Sequence, residues 1–174
     1  MRTTFATAVS LMLLGTLTLA QSVTYDFDRA ANFSKFRTYS WVRGTQVPDE
    51  LNHARIVRAI DSQLVAKGLT RVEATAHPDV LIAYHASFDR NLQINAFGSG
   101  WGGPRFGGVR SGTATTQEIL TGTLVIDMMD GASRSIVWRG MASSDLNTTA
   151  KPEKREKNIN KTMEKLFNNY PPKQ

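Results

Sequence analysis

Three histidines, His53, His77 and His85, are the side chains of this sequence best suited to bind a metal ion or to act as general acids and bases. Asp79 lies between the last two, near the start of a stretch that has the pattern of a β-strand. A strand rises about 3.3 Å per residue, so His85 would lie about 20 Å from Asp79, too far for one metal ion to contact both. His53 belongs to a separate helical segment. We therefore predict no metal site and no cofactor.

Nucleophilic catalysis finds no support in the motifs of the chain. No serine lies in a G-x-S-x-G motif, and there is no cysteine. The glycines of Gly98–Gly103 contain G-x-G, but neither Lys-Ser/Thr nor a helical segment follows, as a phosphate-binding loop requires. Several aspartates on or near strands could pair as in glycosidases: Asp26, Asp28, Asp79, Asp89, Asp127 and Asp130. We interpret these as solvated or ion-paired, which favours a non-catalytic protein.

A glycine-rich segment, FGSGWGGPRFGGVRSG at 97–112, is the remaining candidate site. Seven of the chain's 13 glycines lie between Asn95 and Gly112, without helical or strand periodicity. One interpretation is a mobile insertion between two strands, because ordering it would cost much conformational entropy. The other is a binding site for an acidic or lipidic partner, formed by aromatic and cationic side chains: Phe97, Trp101, Arg105, Phe106 and Arg110.

The N-terminal residues have the features of a secretory signal peptide. Arg2 precedes an apolar stretch around Val9–Leu19, and small residues offer cleavage sites before Gln21 and before Val23. The apolar stretch is shorter than the about 20 residues that span a bilayer. We expect residues 1–22 to be removed on export, leaving a periplasmic or secreted protein with no transmembrane segment.

The predicted export also limits the partners that the formal net charge of +6 can indicate. A basic chain suits nucleic acid, an anionic membrane surface or simple solubility. An exported protein does not meet chromosomal DNA or cytoplasmic RNA, so we predict an envelope protein, lipid or polymer as partner rather than nucleic acid. The absence of cysteine excludes disulfides and lipidation at the cleavage site, so stability must come from a hydrophobic core.

Two helices are predicted from apolar residues at helical spacing. The first begins at Pro48 or Asp49 and ends at Gly68, and the second begins near Pro152 and ends before Pro171. The predicted apolar stripe of the first comprises Leu51, Ala54, Val57, Ile60 and Leu64. That of the second comprises Ile159, Met163, Leu166, Phe167 and Tyr170.

The predicted strands are Val23–Phe27, Thr38–Val42, Leu69–Val72, a central strand from Val80 onwards, and a hairpin that turns at Asp130-Gly131, where glycine tolerates positive φ. Trp41 and Trp138 should supply core area. Arg139 should pair with an acid or lie in solvent, or bind a ligand carboxylate. The pattern predicts an α+β domain of two layers, a mainly antiparallel sheet with two helices packed on one face, over residues 23–172. The glycine-rich insertion occupies about 95–112; strand order and oligomeric state stay open.

Three segments resemble the bacterial envelope family of domain of unknown function 4136: YDFDRAANFSKFRTYSWV at 25–42, PDVLIAYHAS at 78–87 and GTLVIDMMDGASRSIVWRGMAS at 122–143. The resemblance extends over about Val23–Pro172. It implies an exported protein, often a lipoprotein, with no established activity and no assigned catalytic residues. This chain lacks the lipidated cysteine, which favours a soluble protein. We predict a cell-envelope binding or scaffolding domain; the alternatives are an envelope-polymer hydrolase, or a small-molecule or lipid carrier that uses the aromatic glycine-rich loop.

Overall fold

One six-stranded sheet and two helices make up the fold in a computed structural model, which describes residues 22–97 and 113–173, with side chains for 22–90 and 119–173. The strands are β1 (Ser22–Phe27), β2 (Thr38–Trp41), β3 (Thr70–Arg71), β4 (Val80–Phe97), β5 (Thr113–Asp130) and β6 (Ile136–Asp145). The helices are α1 (Glu50–Ala66) and α2 (Pro152–Phe167). This arrangement confirms the predicted α+β class.

The strands lie in the order β1-β6-β5-β4-β2-β3. The pairs β1–β6, β6–β5 and β5–β4 are antiparallel, whereas β2 runs parallel to both β4 and β3. The sheet is therefore mixed and mainly antiparallel. The first two strands of the chain lie on opposite sides of β4 and β5, so the segment between them crosses the end of the sheet.

Helix α1 begins and ends where its capping residues predict. The Asp49 carboxylate accepts hydrogen bonds from the N–H groups of Leu51 and Asn52, and Gly68 follows the helix with a φ of +88°. The predicted stripe is wrong at its first turn, where Leu51 is 68% exposed, while Ile56 is buried. Each three-residue step falls about 60° short of a full turn, so the stripe drifts and Leu51 points away from Ile60.

Both helices cover the same face of the sheet. Alternate residues of β4 point to this face, and Val80, Ile82 and Tyr84 are buried in the core. Ile60 of α1 and Phe167 of α2 are fully buried in the same cluster. The stripe predicted for α2 is confirmed, since its members belong to the core or pack against it: Ile159, Met163, Leu166, Phe167 and Tyr170.

The β5–β6 hairpin is confirmed, but the reason for its glycine differs from the prediction. The residue with a positive φ in this turn is Arg134, at 62°, whereas the φ of Gly131 is not positive. A Cβ atom on Gly131 would lie 2.0 Å from the carbonyl oxygen of Pro78, and the Gly131 N–H donates to the Asp79 carbonyl at 2.8 Å. Glycine is needed here because the turn lies directly against the start of β4.

Candidate functional site

A cavity of about 180 Å³ opens beside the edge of the sheet, between α1, β4 and the segment that follows β2. We call it the Trp41 cavity. The rings of Trp41 and Tyr84 form two of its walls and meet edge to face, with their centroids 6.4 Å apart. The remaining lining residues are Val42, Gly44, Gln46, His53, Val57 and Arg71. The walls are thus largely aromatic and aliphatic, with a few polar groups.

His53 and Tyr84 form a hydrogen-bonded pair inside this cavity. The distance from His53 Nδ1 to the Tyr84 hydroxyl is 2.5 Å, and the Val47 N–H donates to the same hydroxyl at 3.4 Å. Burial raises the pKa of Tyr84, with the Val47 N–H opposing the shift, so the phenol keeps its proton. The direction of the bond follows the imidazole tautomer. The phenol donates to Nδ1 of a neutral ring that carries its hydrogen on Nε2, or Nδ1–H donates to the phenol oxygen.

Asp61 on α1 fixes the polar side of the cavity. One of its carboxylate oxygens accepts from the Tyr39 hydroxyl at 2.7 Å and from Trp41 Nε1 at 2.9 Å. The other lies 3.2 Å from Nη1 of Arg71. Burial, together with the Asp61 hydrogen bond and charge, raises the pKa of Tyr39 well above its usual range. The Asp61 carboxylate therefore holds both the Trp41 indole and the Arg71 guanidinium in place.

A second polar cluster lies on the sheet face opposite the helices. Asp127 is 5% exposed and accepts two hydrogen bonds from Arg139, at 2.6 Å from Nε and 2.8 Å from Nη2. This two-pronged bond, with burial opposing it, raises the pKa of Arg139. The prediction that Arg139 pairs with an acid is confirmed.

Thr45, His85 and Asp127 lie in a line that resembles the hydroxyl–imidazole–carboxylate relay of hydrolases. Thr45 Oγ1 is 3.1 Å from His85 Nδ1, and His85 Nε2 is 3.8 Å from Asp127. However, the backbone N–H of Thr45 also donates to Nδ1, at 3.2 Å, which engages the lone pair that would accept the hydroxyl proton. Arg139 holds both oxygens of Asp127. This line ties a loop to the sheet and cannot activate Thr45.

Asp79, the carboxylate that sequence places beside two histidines, serves the backbone instead. It accepts from the N–H groups of Arg37 and Thr38, each at 2.9 Å, and from the Thr38 hydroxyl at 2.9 Å. These bonds, the Arg37 N–H first, lower the pKa of Asp79 against the opposing effect of burial. In the part of the chain that the structure describes, no three histidine or acidic side chains are grouped so as to hold a metal ion.

Strands β4 and β5 continue past the rest of the sheet as a two-stranded ribbon. On one side, β6 follows β5 only to Thr121, with one more bond from Leu146 N–H to the Leu120 carbonyl. On the other side, the segment after β2 last bonds β4 at Ala86. We call residues 91–97 and 113–119 the β4–β5 arm. Within the described ranges, these two stretches pair only with each other.

The site predicted in the glycine-rich segment lies almost wholly outside the described residues. Phe97 is the last residue of β4, and its side chain lies outside the described residues. The other four predicted binding residues also lie outside them: Trp101, Arg105, Phe106 and Arg110. Residues 1–21, which include nearly all of the predicted signal peptide, are outside them as well.

Sequence reasoning missed the Trp41 cavity because its parts are far apart in the chain. His53 and Tyr84 are separated by 31 positions and belong to a helix and a strand. The only signal was that each lies on an inward-facing position of its element.

No helix in the described ranges is both long enough and apolar enough to cross a membrane.

Solved structures with a similar fold come from several bacteria. A PDZ domain protein from Parabacteroides distasonis is 16% identical with a TM-score of 0.55; the similarity covers 88% of this chain and 37% of that one. A DUF4136 family protein from Bacteroides thetaiotaomicron is 15% identical with a TM-score of 0.54, covering 87% and 96%. PelC from Paraburkholderia phytofirmans, a dodecamer, is 9% identical with a TM-score of 0.51, covering 85% and 96%.

At these identities the structural similarity shows the fold alone. This chain spans about 37% of the length of the Parabacteroides distasonis protein. No curated protein matches the chain. Residues 23–172, however, match the profile named Domain of unknown function (DUF4136), the same range as the sequence resemblance. The chain therefore belongs to the DUF4136 family.

Proposed function

We propose that this protein is an exported, non-catalytic scaffolding domain of the cell envelope that assembles with further copies of itself through the β4–β5 arm. The observation that carries the proposal is the arm itself. Its residues 91–97 and 113–119 pair with each other, and within the described ranges neither outer edge has a partner strand. At about 3.3 Å per residue, seven residue pairs extend the ribbon by about 23 Å.

Unpaired strand edges favour association with another chain. A two-stranded ribbon is at best marginally stable in water, and its free N–H and C=O groups are a template for a further strand. Monomeric proteins usually protect such edges with charged residues or proline. Residues 91–97 (NLQINAF) contain neither, and residues 113–119 (TATTQEI) contain one charged residue, Glu118. The arm therefore has little of the protection that would keep it unpaired.

A second copy of the chain is the partner that these edges suit best. Two identical edges related by a two-fold axis can pair antiparallel, so each arm supplies the complement of the other without any further component. Pairing through residues 91–97, which carry no charge, brings no like charges together. The fold is compatible with assembly, since the similar PelC structure is a dodecamer.

Export and the role of the loop complete the proposal. The signal peptide predicted at residues 1–22 would deliver the domain to the periplasm or the medium. The loop side chains Trp101, Arg105, Phe106 and Arg110 are proposed to contact an acidic or lipidic envelope partner once the arms have paired. The Thr45–His85–Asp127 line, which cannot activate a nucleophile, gives the hydrolase alternative no support.

The test shortens the arm without touching the core. In the mature chain from residue 23, residues 92–118 are replaced by Asn-Gly, which joins the direct partners Asn91 and Ile119 by a two-residue hairpin turn. No residue of the described core lies in the removed segment. We expect the unaltered chain to form oligomers and the shortened chain to be a monomer, as measured by sedimentation equilibrium.

A matched variant separates the arm from the loop. Replacing residues 98–112 by Asn-Gly joins the partners Phe97 and Thr113, so it retains the arm and removes the loop. This variant should remain oligomeric. If it dissociates as fully as the shortened chain, the loop and not the arm makes the contact. If the unaltered chain is itself a monomer at all concentrations, self-assembly is wrong.

A further inference from the structure

We infer that the Trp41 cavity is a binding site for a small organic carboxylate carried on a single six-membered ring. The cavity is independent of the β4–β5 arm. It is built by α1, the end of β2, β3, β4 and the segment after β2, far along β4 from residues 91–97. Its walls and its donors each point to one part of such a ligand.

The aromatic walls suit a ring that presents a weakly polar face. Trp41, the last residue of β2, is only partly buried, so part of its ring is accessible. Its indole N–H donates to Asp61 at 2.9 Å, which fixes the ring. Tyr84 meets that ring edge to face and is held in turn by His53. Two fixed aromatic faces beside the side chain of Val57 offer packing for a ring without first having to be ordered.

The polar groups of the cavity are mainly hydrogen-bond donors. When the phenol donates to Nδ1, the neutral His53 ring carries its hydrogen on Nε2 and offers a donor there. Arg71 uses Nη1 for Asp61, its side chain is 57% exposed, and its other guanidinium N–H groups have no acceptor within the described residues. The carboxylate of Asp61 is already engaged by three donors, the other two being Tyr39 and Trp41. A ligand carboxylate, which only accepts hydrogen bonds, is the complement of this set.

The size of the cavity limits the ligand to one ring. The cavity has a volume of about 180 Å³. Drug-sized ligands occupy pockets of about 300–1,000 Å³, so an acyl chain or an oligosaccharide would not be enclosed. A benzoate or a single uronic acid is of the right scale.

The wall formed by the segment after β2 is already in place. The Val42 N–H donates to the Ile82 carbonyl at 2.9 Å, and the Ala86 N–H donates to the Thr45 carbonyl at 2.8 Å. Between these bonds, Gly44 lies so close to β4 that a Cβ atom there would be 2.0 Å from the Tyr84 carbonyl oxygen. The segment is therefore bound along the strand, and the cavity does not depend on closure by a ligand.

The experiment titrates the mature protein with two acids and their uncharged counterparts. Benzoate and glucuronate carry the same carboxylate on an aromatic ring and on a sugar ring, and benzyl alcohol and glucose lack it. Binding is followed by chemical shift changes of the backbone amides and the indole N–H of Trp41. We expect one acid to bind and shift Trp41, its uncharged counterpart to bind at least tenfold more weakly, and the preferred acid to identify the ring type.

Substitutions test the proposed role of the guanidinium. Arg71→Gln should weaken binding of the preferred acid about tenfold or more, because a charge-assisted hydrogen bond is lost. The matched control is Arg58→Gln, an exposed arginine of α1 that does not line the cavity, and it should bind as the unaltered chain does. The inference is wrong if neither acid shifts Trp41, or if both variants bind equally well. Loss of dispersed amide signals in Arg71→Gln would instead reveal unfolding, and His53→Phe then supplies the same comparison.

Discussion

At the scale of single residues, Asp79 shows how position in the fold decides what a carboxylate does. It lies two positions from His77 and six from His85 in the sequence, a spacing that suggests a metal-binding or acid–base role. In the structure it accepts three hydrogen bonds from Arg37 and Thr38, which lie 42 and 41 positions away. Its charge therefore joins the start of β2 to the start of β4.

Asp79→Asn should destabilise the fold at neutral pH and much less in acid. The folded-state pKa is lowered, so the stabilising contribution is complete above the unfolded pKa of about 3.9 and is lost as pH falls through the folded value. Since the group is partly solvated, we expect a loss of about 1 kcal/mol in the free energy of unfolding at pH 7. Urea unfolding at pH 7 and pH 3 measures this loss.

The control for this change is Asp89→Asn, an exposed carboxylate on the same strand. It should leave the free energy of unfolding unchanged within error at both pH values. Equal losses for the two variants, or a loss at Asp79 that persists at pH 3, would show that the lowered pKa has no part in stability.

The two strand tryptophans illustrate what residue type alone can predict. Trp138 meets the expectation of a core residue: it is fully buried and stacks on Phe167, with ring centroids 5.3 Å apart. Trp41 also packs against the core, but its indole N–H is bound to Asp61 and its ring lines a cavity. The difference follows from strand order, because β6 lies inside the sheet and β2 lies next to its edge.

At the scale of elements, local signals predicted the ends of the helices better than their orientation. Asp49 caps α1 and Gly68 ends it, because both act on backbone groups within one turn. Which side of α1 is buried depends on the layer that it meets, and the exposed Leu51 was assigned to the wrong side. The strand alternation from Val80 was read correctly, since a period of two leaves little room for drift.

Gly131→Ala should be among the most damaging single substitutions in the hairpin. The added methyl group would lie 2.0 Å from the Pro78 carbonyl oxygen and 3.1 Å from that of Asp79, so the turn must move away from β4. We expect the free energy of unfolding to fall by about 2 kcal/mol or more. Urea unfolding followed by circular dichroism measures this fall.

Gly68→Ala provides the comparison at a glycine needed for a different reason. No atom lies within 4 Å of the added methyl group, but the φ of +88° disfavours a side chain, so a loss of about 1 kcal/mol is expected. A smaller loss at Gly131 than at Gly68 would contradict the close approach of the turn to β4.

At the scale of the whole molecule, the proposed export makes a direct prediction about the mature N-terminus. When the full chain is produced in a Gram-negative host, the exported form should begin at Gln21 or Val23, because small residues precede both positions. N-terminal sequencing of the periplasmic fraction measures this. Recovery of Met1 or Arg2 from that fraction would contradict a cleaved signal peptide.

The sequence by itself determined the fold class, the helix ends, the central strands and the family, because capping, periodicity and family motifs are written in short stretches of chain. It did not determine that β6, β5 and β4 separate β1 from β2 in the sheet, or that β4 and β5 extend beyond the other strands. Nor did it determine that one cavity is surrounded by His53, Tyr84, Trp41 and Arg71. These features depend on contacts between residues tens of positions apart, which pack only when the strand order is set. Tertiary structure alone therefore decided where the described part of this protein has an unpaired strand edge and where it has a cavity.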